Sequence, residues 1–243
     1  MSAAATILDS LHAVEAERAL RAAEPGLDAR ATALKDFQQR RFSHTYADLL
    51  GSTRYGPASR FFLDELYGPR DYTLRDAQFA KVVPALVRVF PQEIVETVMH
   101  LARLHALSEA LDTAMARRLG AATVDPDDYV RAWQEVGRPE DRRAQIELTI
   151  DVAARLDRLT GKALLRTSLH LMRGPARAAG LGELQSFLET GFDTFRAMHG
   201  AREFLATVKT REETLAEALF AADLEAKDGG ASRSRARAAL PAA

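Results

Sequence analysis

Apolar residues recur at steps of three and four along nearly the whole chain, and strict apolar–polar alternation is almost absent. Residues three and four apart share one face of an α-helix, so this period predicts amphipathic helices. A first helix is predicted over residues 5–23, with Ile7, Leu11 and Val14 on a stripe that fades at Arg18, and Pro25-Gly26 ends it. A second covers 28–50 through Leu34, Phe37, Phe42, Tyr46 and Leu49, and the stretch 51–57 breaks it. A short third helix spans 60–67 and stops at Gly68-Pro69.

The boundaries downstream carry their own chemistry. Thr73-Leu74-Arg75-Asp76 reads as a capping box with aspartate in place of the usual glutamate. The fourth helix it opens contains Phe79, Val82, Leu86 and Val89, with Pro84 inside, where a kink is expected. Pro91 is suited to the first turn of a fifth helix that reaches about Leu119. Asp125-Pro126-Asp127-Asp128 combines an N-cap, a proline and acids at the positive end of the helix dipole. The sixth helix starts there and closes at Gly137, and a seventh runs from Pro139 to Thr160, with Ile146, Ile150, Ala153 and Leu156 inward. Lys162–Arg173, a short segment from Gly174-Pro175, Leu181–Met198 (with Leu184, Leu188, Phe192 and Phe195 in phase) and a last helix from Gly200 to Asp223 complete the set.

About ten helices on short loops give an all-α fold, a single irregular multi-helix bundle. We assign residues 1–227 to that domain and read 228–243, a Gly/Ser/Arg/Ala stretch whose one core-type residue is Leu240, as a disordered tail.

Composition narrows the functions. The chain has 243 residues, 47% of them apolar, enough for a sizeable core. No cysteine is present, which removes disulfides, thiolate metal sites and a cysteine nucleophile and fits a reducing compartment. The formal net charge is -1, against the basic excess of a nucleic-acid binder. Arginine supplies 28 of the 33 basic residues, which we read as base composition. The absence of a long apolar run or basic leader points to a cytoplasmic protein with no membrane partner.

Residues 61–67 read Phe61-Phe62-Leu63-Asp64-Glu65-Leu66-Tyr67, followed by Gly68 and Pro69. The run resembles the hallmark of an uncharacterised bacterial family named for its Phe-Phe-Leu-Glu-Glu-Leu-Tyr motif, with Asp64 in place of a glutamate. Arg75-Asp76, Leu104 to Asp112 and Met172 to Arg177 look similar to that family too. The resemblance implies a helical, cytoplasmic bacterial protein and carries no particular chemistry.

Candidate chemistry lies in few places. No nucleophile elbow, phosphate-binding glycine loop or paired-histidine zinc motif occurs. In the 61–67 segment, Asp64 or Glu65 is expected to pair with Arg70 or Arg75, with Tyr67 as a hydrogen-bond donor. On the fifth helix, Leu101, His105, Ser108 and Asp112 fall on one stripe, and Glu109 is four residues from His105, within pairing distance. Glu96 and His100 repeat that spacing and are read as solvated. A carboxylate beside a histidine on an apolar helix suits a general base or part of a ligand site, although the Glu-x-x-His motif of a dinuclear centre is missing. Arg173, beside a helix start at Gly174-Pro175, is a candidate anion ligand.

Two functions follow from these residues. The first is a non-catalytic binding, scaffold or regulatory protein, acting through a protein partner or a homo-oligomer. The second is a small-molecule or metal-binding protein or enzyme whose polar pocket centres on His105, Glu109 and Asp112, with Arg75, Asp76 or Arg173 converging on it. The sequence assigns no catalytic residue, cofactor or metal.

Overall fold

Helix boundaries follow the start and stop residues closely. In the computed structural model, which describes residues 2–65, 69–225 and 230–241, the side chain of Asp125 accepts from the Asp128 amide at 2.8 Å and opens α7 (Pro126–Val136). Gly137, at φ 64°, closes α7, and α8 (Pro139–Thr160) begins on its proline. The remaining described segments are α1 (Ala3–Ala23), α2 (Leu27–Thr45), α3 (Ala47–Gly51), α4 (Gly56–Glu65), α5 (Thr73–Val89), α6 (Gln92–Ala116), α9 (Ala163–Leu171), α10 (Arg173–Ala178), α11 (Gly182–Ala197), α12 (Arg202–Ala221) and α13 (Ala231–Ala238). No strand occurs among the described residues, and none of the helices there is long and apolar enough to cross a membrane.

Tertiary contacts move some expected boundaries. The helix predicted over 28–50 is split at Tyr46, which leaves helical geometry (φ -116°, ψ 24°). Tyr46 is fully buried there, and its hydroxyl donates to Glu212 of α12 at 2.7 Å. The capping box at Thr73 does not form. The Thr73 amide is taken instead by the Asp71 carboxylate at 2.8 Å, and Asp76 turns inward toward α1 and α6. The break expected at Gly174-Pro175 falls at Met172, and the short segment α10 starts at Arg173 with both residues in its first turn. On α11, Leu188 faces solvent, and Gln185 occupies a buried position.

The long helix α6 is central, with α1, α2 and α8 packed along it. One core cluster joins Leu34 and Phe37 of α2 to Met115, Tyr129, Trp133 and Leu219. A second holds Phe42, Tyr46, Phe62, Phe195 and Phe204 where α4, α8, α11 and α12 meet. A third packs Ile7 and Leu11 of α1 on Val83 and Ala102. Within 228–243, read from the sequence as disordered, the structure places α13, whose Ala236 joins Leu240 in the first cluster. Arg233 and Arg237 of α13 both pair with Asp127 at the start of α7.

Candidate functional site

The inner face of α6 gathers four of the nine predicted site residues, Asp76, His105, Glu109 and Asp112, but with different partners. His105 does not pair with Glu109. Its Nε2 lies 2.9 Å from Asp76 Oδ2 of α5, and Arg18 of α1 donates to the same oxygen at 2.6 Å. One turn on, Glu109 is held by Lys35 of α2 at 2.6 Å and Arg21 of α1 at 2.7 Å. Arg21 also donates to Thr113 Oγ1 at 2.9 Å. Asp112 Oδ1 accepts from Gln38 of α2 at 2.9 Å. Ser108 accepts from Gln145 of α8, and Gln145 accepts in turn from Arg142. Arg142 is buried, its guanidinium 3.9 Å from the centre of the Trp133 ring. His100, expected to be solvated beside Glu96, sits 2.5 Å from Asp151 of α8, and Glu96 pairs with Arg155.

Sequence spacing placed the acids of this seam but not the cations that neutralise them. Helical pairs four apart contribute only a few tenths of a kcal/mol, so a neighbouring helix easily outbids them. The one sequence signal was on α1, where Arg18 and then Arg21 continue the apolar stripe of Ile7, Leu11 and Val14.

The three acids differ electrostatically. Burial pushes the Asp76 carboxyl up, but hydrogen bonds and charge from His105 and Arg18 outweigh it and hold Asp76 below the ordinary value. Burial likewise raises Glu109, and the Lys35 and Arg21 charges reverse the effect. At Asp112 burial wins against the pull of Lys35, and the carboxyl is held above its ordinary value. The seam is thus an internally paired polar cluster in which Glu109 already has two cationic partners. Among the described residues, no group of three or more histidine or acidic side chains is placed to hold a metal ion.

The other predicted residues lie apart from this seam. Glu65 pairs with Arg70 at 3.0 Å and lies 3.8 Å from Arg75. Arg75 donates to the Glu65 carbonyl at 3.2 Å, and the Tyr72 hydroxyl to the Asp64 carbonyl at 3.3 Å, so the start of α5 caps the last carbonyls of α4. The Arg75 guanidinium also sits 4.0 Å from the Tyr72 ring centre and 4.4 Å from that of Phe187. Tyr67 lies outside the described residues. Arg173, the first residue of α10, forms a two-pronged pair with Glu189 of α11, with contacts of 2.8–3.1 Å.

The site is therefore a set of packed ion pairs on α6, and comparison with known families adds identity without chemistry. A family model described as a domain of unknown function, DUF8198, matches residues 17–226. The chain belongs to this family. The DUF8198 match takes in α2 to α12, the last third of α1 and the whole α6 seam. Comparison with curated proteins and with solved structures finds no match.

Proposed function

We propose that this DUF8198 chain is a non-catalytic helical scaffold or binding protein that works by self-association, in the cytoplasm of a bacterium. The observation that carries it is the outer face of α9. Leu164 is 82% exposed and Leu171 74% exposed, one heptad apart, and the adjoining Met172 is 52% exposed. Leucines seven apart lie on one helix face, here with exposed Thr167 and Ser168 between them, and large apolar side chains left exposed on one face mark a contact site. The basic residues around it are occupied within the chain: Lys162 by Glu93, Arg166 by Asp193 and Arg173 by Glu189. With its charges neutralised in this way, the face suits a second copy of itself across a two-fold axis.

The α6 seam supports the same conclusion. A pocket at His105, Glu109 and Asp112 would need polar atoms aimed at a ligand, and these three are turned to Asp76, Lys35, Arg21 and Gln38. Sedimentation velocity tests the proposal. The wild-type chain should dimerise with concentration, and a Leu164→Asp/Leu171→Asp variant should remain monomeric with an unchanged melting temperature. A wild-type monomer at high micromolar concentration would overturn it. So would a stoichiometric ligand in native mass spectra that His105→Ala abolishes.

A further inference from the structure

At the far end of α6 from the His105 pair, a cleft of about 350 Å³ opens between the end of α6, the end of α7 and the start of α8. Its lining is Ala114, Arg117, Arg118, Val136 and Arg138: three guanidinium groups, two small apolar side chains and no acid. Two carboxylates pair with these arginines without lining the cleft. Glu24 takes the Nε edge of Arg117 at 3.1 Å, and Asp141 takes the Nε edge of Arg138 at 2.6 Å. No hydrogen bond among the described residues occupies the Nη groups of either arginine. Arg118 is exposed and has no partner among those residues. Glu24 is shared with Arg30, so four guanidinium groups face two carboxylates.

The backbone that presents Arg138 is also costly. Arg138 lies in the left-handed region (φ 60°, ψ 48°), immediately after Gly137, also at positive φ. A side chain larger than glycine or asparagine is unfavourable there, and such strain is retained where it serves a site. Arg138 is moreover the N-cap of α8, with no side-chain cap bond. Cations do collect at helix C-termini such as that of α6. That tendency accounts for Arg117 and Arg118, but not for a strained arginine contributed by the α7–α8 link.

We propose that this cleft binds the phosphate group of a small phosphate-bearing molecule. Planar guanidinium groups with free Nη pairs match phosphate oxygens two at a time. The volume lies at the small end of the range for ligand pockets and suits a small molecule. Ala114 and Val136 supply an apolar wall for the carbon part of the ligand. The site is separate from the α9 face and does not depend on self-association.

The test is calorimetric titration with inorganic pyrophosphate at fixed ionic strength. Wild-type protein should show saturable binding of one equivalent. Arg118→Ala and Arg138→Gly should each weaken it at least tenfold. Arg143→Ala, an exposed arginine of α8 outside the cleft, should leave it unchanged. Arg118 bears no packed bond, so Arg118→Ala should keep the wild-type melting temperature, and Arg138→Gly should raise it by relieving the backbone. No saturable binding by the wild type, undiminished binding by Arg118→Ala, or an equal loss from Arg143→Ala would each overturn the proposal, the last by showing diffuse attraction to surface charge.

Discussion

Two acids one turn apart on α6, Glu109 and Asp112, are buried alike but differ in what burial does to them. Glu109 has two cations in contact, so Glu109→Gln removes the one carboxylate that both Arg21 and Lys35 touch and leaves Arg21 only Asp28 at 4.0 Å. We expect a loss of about 3 kcal/mol at neutral pH, read by urea denaturation, because removing one member of a buried pair strands the other. Since the Glu109 carboxyl is held low in the fold, its contribution exists above the ordinary carboxyl range and disappears as pH falls through the folded value. Asp112 has the opposite sign. Its carboxyl is held high, so its favourable neutral form is lost as pH rises through the folded value. Asp112→Asn keeps an acceptor for Gln38 and removes the charge. It should stabilise the protein by about 1 kcal/mol at pH 8, and the gain should vanish below about pH 4. Equal stabilities for Asp112→Asn and wild type at pH 8 would show that water or a relaxed backbone already solvates the carboxylate.

Among the elements, α4 and α11 show how Phe61 and Phe62 of the motif pack. Phe61 stacks on Phe187 at 5.6 Å and meets Phe62 edge-on at 6.4 Å, so its ring is fixed on both sides. A methyl group built on Gly191 would stand 2.9 Å from Cζ of that ring. Glycine in mid-helix normally costs about 1 kcal/mol relative to alanine, and by propensity alone Gly191→Ala should stabilise α11. The clash wins because the ring has no room to retreat: we expect a net loss of about 1–2 kcal/mol in thermal unfolding. The double variant Gly191→Ala/Phe61→Leu should recover part of it, a coupling that propensity cannot produce. The sequence showed Gly191 only as an interruption of a helical stripe, since its partner lies 130 positions earlier.

For the molecule as a whole, the C-terminal segment bears on cohesion. Ala236 and Leu240 cover the cluster formed by α2, α7 and α12, and Arg233 and Arg237 converge on Asp127. Ending the chain after residue 227 should cost about 2 kcal/mol, roughly the burial of one leucine with a smaller share from the partly exposed ion pairs, measured as a shift in urea midpoint. An unchanged midpoint would show that the segment contributes nothing to the fold. The composition of 228–243 gave a polar, small-residue stretch with one core-type side chain, and that side chain, Leu240, is buried.

Local chemistry was enough for the class of fold and for most boundaries. The three-and-four period, the Asp125 cap and the prolines at 126 and 139 act within one or two turns of chain, so they are legible without knowing what lies opposite. The acids of the α6 seam were legible for the same reason, as polar positions on an apolar face. Their roles were not. Asp76 serves His105 and Arg18 instead of the α5 amides, and Glu109 serves α1 and α2 instead of His105. Those choices depend on which side chains the packing brings within 3 Å, and in a buried site a charge in contact outweighs any preference along the helix. Tertiary structure alone also brought Arg117, Arg118 and Arg138 to one cleft, because helix ends distant in sequence meet only after the bundle has formed.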